Sequence, residues 1–150
     1  MITPDGLEIV KYFEGCRLTS YQDTAGIWTI GYGHTKNVQP NQAISQAEAD
    51  QLLKADLLIA EKRVKKVLKE HFNMLSGYQL DALISQAFNL RSFDVLSSYI
   101  PERGIDVYLR KTLLYCKDVQ GHELLGLKKR RVTEVLRFLG QSWEQIKVFV

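Results

Sequence analysis

At 150 residues and 17.2 kDa the chain is the length of one domain, with 45% hydrophobic and 25% charged residues, enough to bury a core without disulfide staples. A formal charge of +3 excludes a polyelectrolyte binder, two cysteines exclude a disulfide framework, and no apolar run approaches the roughly 20 residues of a membrane span. Cys16 and Cys116 are expected as free thiols. Basic residues gather in 62–69 and 128–131; such runs are solvated helix faces or contacts to an acidic polymer.

Residues 1–6 lack the basic and apolar segments of a signal peptide. Thr3 as N-cap, Pro4 at the first helical position and Gly15 as a stop then predict a first helix. Between residues 18 and 35, Gly26, Gly31 and Gly33 alternate with Trp28, Ile30 and Tyr32, which predicts short strands and turns. Ser45 and Glu48 form a capping box before a long helix, whose expected apolar stripe is Leu52, Ala55, Leu58, Ile59, Val64, Val67 and Leu68. On its wet side Glu61–Lys65 and Lys66–Glu70 are spaced as i,i+4 pairs.

Ser76 and Gln79 repeat the box and open a helix through about Phe88, with Leu80, Leu83, Ile84 and Ala87 facing the core. Short helices are expected at 93–98 and 105–116, a further helix at 127–139 and a last short one after Ser142. The fold class is α+β, mostly helical, with a small β-containing N-terminal part and a larger helical part.

Residues 14–35, EGCRLTSYQDTAGIWTIGYGHT, are where chemistry concentrates. Glu14 falls at the predicted helix C-terminus, where the dipole disfavours a carboxylate, and beside apolar Phe13 and Leu18. Both effects suit a proton donor. Asp23 falls in a polar turn that keeps a carboxylate ionised. Two carboxylates in contrasting environments are what glycoside hydrolysis requires. Thr29 could orient a water. On spacing alone, a Glu and an Asp nine residues apart are also ordinary surface groups, and His34 reads as a structural hydrogen-bonding histidine. Metal-ligand spacing and a phosphate loop are both missing, so no metal or cofactor is expected.

The stretch resembles the active-site segment of the phage-type lysozymes, the endolysin muramidases that include the T-even phage enzymes. That family has Glu-Gly at the end of the first helix, then Tyr-x-Asp, then Gly-x-x-Thr-x-Gly-x-Gly-His. Here these are Glu14-Gly15, Tyr21-Gln22-Asp23, and Gly26 through Thr29 and Gly31 to Gly33-His34. Tyr78, Asp81-Ala82-Leu83 and Phe88-Asn89 look like the family's central helix. Gly126-Leu127, Arg130-Arg131 and Glu134 look like its C-terminal signature. Arg91 stands where the family usually has glycine, and residues 97–104, with Pro101, also diverge.

The resemblance implies a lysozyme-like fold of one catalytic domain, an N-terminal lobe of about 15–60 and a helical lobe of about 61–150 plus the first helix. It implies a metal-free hydrolysis of the β-1,4 bond between N-acetylmuramic acid and N-acetylglucosamine in peptidoglycan. Glu14 would be the general acid, Asp23 the second carboxylate and Thr29 the water-positioning group. Tyr21, Gly33, His34 and Asn89 are the candidate substrate-binding residues, and Arg130 or Arg131 would approach Glu14. The expected setting is a monomer made in the bacterial cytoplasm and acting on the periplasmic wall, without nucleic acid, delivered by a holin or a secretion system. A lytic transglycosylase, a secreted antibacterial effector and a glycan-binding module without turnover are the rival readings.

Overall fold

A computed structural model describes residues 1–98, 100–117 and 120–150. Helix α1 (Pro4–Glu14) leads into an antiparallel hairpin, β1 (Arg17–Gln22) and β2 (Trp28–Gly31), and then into the long helix α2 (Gln46–Leu68). A 3₁₀ turn connects α2 to the central helix α3 (Gly77–Asn89). Three short helices follow: α4 (Phe93–Leu96), α5 (Ile100–Arg103) and α6 (Ile105–Thr112). Helix α7 (Leu125–Phe138) and the single turn α8 (Trp143–Ile146) complete the order. The fold is mostly helical with one two-stranded sheet, the class expected from the sequence.

The caps form as the sequence specifies. The Thr3 side chain accepts from the Gly6 N–H, and Gly15 ends α1 at φ +64°, a conformation that glycine adopts without a Cβ penalty. Capping boxes are complete at Ser45–Glu48, Ser76–Gln79 and Ser142–Gln145. In the first of these, hydrogen bonds from Ser45 hold the Glu48 carboxyl below the usual carboxylate range.

The apolar face of α2 differs from the expected one. Its buried residues are Ala49, Leu53, Leu57, Ala60, Val64 and Leu68, spaced by three or four. Leu58 and Ile59 are half exposed or more. Leucine and alanine recur so densely through this helix that two stripes satisfy helical spacing, and the partner helices select between them. Glu61 pairs with the N-terminal amine at 2.7 Å rather than with Lys65. In α3, Leu80, Leu83, Ile84 and Ala87 are all buried, as expected. The divergent stretch 97–104 spans α5; its Tyr99 lies outside the described residues. Both cysteines are free thiols, Cys16 exposed and Cys116 buried.

Helix α3 is flanked by α1, α2 and α7. A buried polar joint fastens its first turns. Asp81, 1% exposed, accepts from the Thr3 N–H at 2.8 Å and the Thr3 hydroxyl at 2.5 Å. It also accepts from Arg137 Nε at 2.9 Å and Nη2 at 2.8 Å. One carboxylate thereby joins α1, α3 and α7, with all its charge paired. Gly6 lets α1 come this close: a Cβ there would lie 2.4 Å from Asp81 Cγ.

Two glycine-to-alanine substitutions should therefore act with opposite sign. Gly6→Ala overpacks the joint and should destabilise the fold by about 1–3 kcal/mol. Gly126→Ala, at a helical position where a Cβ meets nothing within 4 Å, should stabilise it by about 0.4–1 kcal/mol. Urea unfolding midpoints check both; a Gly6→Ala midpoint at or above that of the parent would refute the crowding.

Candidate active site

The site begins with Glu14, the last residue of α1. Its side chain is 19% exposed, and Arg130 of α7 donates from Nη1 to Oε1 at 2.5 Å. Arg130 itself is 3% exposed, so this pair is no surface ion pair. Behind it, Arg130 Nε lies 3.4 Å from Glu134 Oε1, and Nη2 reaches the Ser85 carbonyl at 3.3 Å. Glu134, fully buried, also accepts from the Ser85 hydroxyl at 2.6 Å and from Arg131 Nη2 at 3.0 Å. The guanidinium fixes the position of Glu14 Oε1.

The other carboxyl oxygen of Glu14 faces Gly33. A Cβ on Gly33 would lie 3.4 Å from Oε2, and the residue adopts φ +83°, so any side chain here would be strained and would crowd the acid. Glu14 and Gly33 line a cleft of about 340 Å³, together with His34, Arg63, Phe88 and Asn89. Asn89, at the last residue of α3, is oriented by Arg131, which donates to Oδ1 at 2.8 Å.

His34 is a strut between the hairpin and α2. Its Nδ1 lies 2.7 Å from Asp56 Oδ2, and its Nε2 lies 3.0 Å from the Lys36 carbonyl. Both ring nitrogens are thus engaged by the protein, which agrees with a structural histidine; its ring also lines the cleft.

Asp23 and Thr29 belong to the hairpin. Asp23 follows β1 directly, and its Oδ1 accepts from the N–H groups of Ala25 at 2.8 Å and Ile27 at 2.9 Å. This turn holds the carboxylate by one oxygen; among the described residues Oδ2 has no hydrogen-bond partner. The pairing of Tyr21 with Thr29 and Gln22 with Trp28 places Asp23 and Thr29 diagonally on one face of the hairpin. Thr29 is buried and its hydroxyl donates to the Ile27 carbonyl at 2.9 Å, not to Asp23. Tyr21 shares that face but carries the Arg17 guanidinium over its ring, 4.0 Å from the centroid. Tyr21, Asp23 and Thr29 are not among the residues lining the cleft.

Several residues of the site were not singled out in the sequence. Arg63 of α2, inside the basic run 62–69, donates to the carbonyls of Ala87, Leu90 and Arg91 and pairs with Asp94 at 3.1 Å. It thereby caps the C-terminal end of α3 from outside the helix. Asp56, Ile59 and Arg63 recur at i, i+3 and i+7, so a polar–apolar–polar stripe beside the buried one was the available signal. Arg91 is exposed and contributes only its carbonyl; the basic side chains lining the cleft are Lys36 and Arg63.

The phage lysozyme family model matches residues 11–134. An endolysin of Acyrthosiphon pisum secondary endosymbiont phage 1 is 38% identical over 90 residues, covering 59% of each chain. The endolysin of Bacillus phage B103 is 35% identical over 150 residues, covering 94% of this chain and 55% of that one. The chain thus spans little more than half the length of these two relatives. Among solved structures, the muramidase domain of SpmX from Asticaccaulis excentricus superposes with a TM-score of 0.82 at 29% identity, over 94% of this chain and 99% of that one.

Removing Glu134 should cost far more than removing a surface partner. Glu134→Ala leaves two buried guanidinium groups short of their counter-charge and should destabilise by about 3–5 kcal/mol. Glu144→Ala breaks only an exposed pair with Lys147 and should cost less than about 1 kcal/mol. Thermal unfolding of the two variants compares them; equal shifts would mean the buried cluster carries no special weight.

Proposed function

We propose that this chain, which belongs to the phage lysozyme family, hydrolyses the β-1,4 bond between N-acetylmuramic acid and N-acetylglucosamine in peptidoglycan. The observation that carries the reading is the contrast between its two carboxyl groups. Glu14 is half withdrawn at a helix end with one oxygen turned to the cleft wall at Gly33, and Asp23 is pinned by one oxygen in a polar turn with the other left free. Such a pair divides the work of glycoside hydrolysis.

In this reading Glu14, protonated on Oε2, donates to the glycosidic oxygen as the bond to the sugar carbon breaks. Arg130 holds Oε1 throughout and stabilises the carboxylate left behind. Water supplies the incoming oxygen. The Thr29 hydroxyl has committed its proton to Ile27 and retains two acceptor lone pairs. A water donating one hydrogen to Thr29 Oγ1 and the other to Asp23 Oδ2 would turn its own lone pair toward the sugar carbon. Asp23 takes that proton as the new C–O bond forms, and the configuration inverts. Gly33, His34 and Asn89 border the same cleft and are assigned to the substrate on that ground, Tyr21 as a support of the hairpin face.

No helix among the described residues is long and apolar enough to cross a membrane. We assign delivery to the wall to a holin or a secretion system, and the acting form to a monomer with an N-terminal lobe at about 15–60 and a helical lobe formed by the rest.

Glu14→Gln keeps the shape of the side chain and removes the proton. Lysis of purified walls should fall by roughly 10²–10⁴-fold with the fold intact; parent-like lysis would remove Glu14 from the acid role. The stereochemistry is tested separately. Proton NMR of the first product from a β-linked oligosaccharide should show the α-anomer first, and an initial β-anomer would assign Asp23 as the nucleophile instead. A product lacking the added water would replace hydrolysis by the transglycosylase reaction.

A further inference from the structure

A second cavity, of about 620 Å³, adjoins the corner where α1 meets β2. Glu14 and Gly33 line the cleft, whereas Cys16 and Tyr32, their near neighbours in the chain, line this other space. Part of its wall is aromatic. The Tyr12 ring is 52% exposed and lies 5.2 Å from the half-buried ring of Trp143 in α8. Phe13 meets Tyr12 edge-on at 5.1 Å and braces it from the core side.

The rest of the lining is polar and already ordered. Lys11 Nζ pairs with Asp50 Oδ1 at 3.1 Å, and Gln46 Nε2 donates to both Asp50 Oδ1 at 3.1 Å and the Tyr32 hydroxyl at 3.0 Å. The hydrogen bond from Lys11 holds the Asp50 carboxyl below the usual carboxylate range, so the pair is ionised and self-neutralised near pH 7. Three groups at the rim are uncommitted among the described residues: the Trp143 indole N–H, the Tyr12 hydroxyl and the Glu8 carboxylate.

We propose that this cavity is a secondary glycan-binding subsite, taking a neutral N-acetylated sugar ring of the wall polymer on Tyr12 and Trp143. A pyranose is apolar on its C–H faces and polar around its edge, as this cavity is aromatic on one part of its wall and hydrogen-bonding on the rest. Glu8 makes no ion pair among the described residues and leaves the lining net negative, which disfavours an anionic ligand and leaves an acceptor for sugar hydroxyls. A second weak contact on a polymeric substrate raises its local concentration at the cleft without altering the chemistry there. The inference rests on the hydrolase reading above, and its test separates the two.

The test uses the full chain carrying Glu14→Gln, ¹⁵N-labelled and titrated with the N-acetylglucosamine tetramer, with maltotetraose as the control sugar. The Trp143 indole N–H resonance should shift with the first sugar and stay still with the second. Shifts confined to cleft residues such as Gly33 would overturn the subsite and leave the hydrolase reading standing. In the active chain, Trp143→Ala and Tyr12→Ala, the latter at a ring already half exposed, should each weaken retention on insoluble peptidoglycan roughly tenfold. Hydrolysis of the soluble tetramer should stay within about twofold, as expected when only remote binding is lost. Unchanged retention by both variants would refute the proposal even if each one folds and lyses walls.

Discussion

A guanidinium group buried where three helices meet fixes how α1, α3 and α7 come together at Glu14. Arg130 projects from α7, passes Ser85 of α3 and ends on Glu14 of α1. Burying a charge costs several kcal/mol unless each of its donors is matched, and here Glu14, Glu134 and the Ser85 carbonyl together supply the acceptors. The arrangement is intolerant of slippage. If α7 moved by one turn along α3, Arg130 would lose Glu14 and the Ser85 carbonyl and keep only Glu134 of its own helix. A hydrophobic seam of the same size would lose contact area gradually; this one would lose paired charge all at once.

The same device recurs at the other end of α3, where Arg137, Asp81 and Thr3 make the second joint. Arg130 and Arg137 are seven residues apart, two turns of α7, and so lie on one face. Between the joints the seam carries Ser85 and the buried side chain of Thr133 rather than large apolar groups alone. The apolar core lies elsewhere, where α2, α3 and α6 bring together Leu53, Leu57, Val64, Leu83, Ile84 and Tyr108. Division of labour follows: apolar burial supplies the stability, and the charged seam sets the registration that aims Glu14.

The hairpin beside the cleft is held by hydrogen bonds and close backbone packing instead. His34 leans on Asp56 of α2, Gly31 lies against Ala49, and a tight turn presents Asp23. The hairpin has only two strands, and by itself such a hairpin would be marginal in water. Its position relative to Glu14 is therefore set by α2 and by the short connection through Gly15. Ile59, more than half exposed, adds an apolar side chain to the cleft from α2.

Local physics made much of this legible in the sequence. Three capping boxes and the Thr3–Pro4 start were written in residue types, because a cap needs only its own turn. Gly33 and His34 could be singled out because a motif of fixed spacing keeps its neighbours together. The face of α2 could not be read, since Leu58 and Ile59 satisfy helical spacing as well as Leu57 and Ala60 do, and only the packing partners choose. Nor could Arg63 be distinguished from the lysines around it, because its role depends on carbonyls 24 to 28 residues away. The sequence by itself determined which helices begin where and which residues crowd the Glu14 corner. Only the tertiary structure decided that Arg130 rather than Arg131 holds Glu14 and that Thr29 spends its proton on Ile27. The reason is physical: a buried charge or hydroxyl takes the nearest acceptor that the folded backbone presents, and that nearness is not encoded at any one position of the chain.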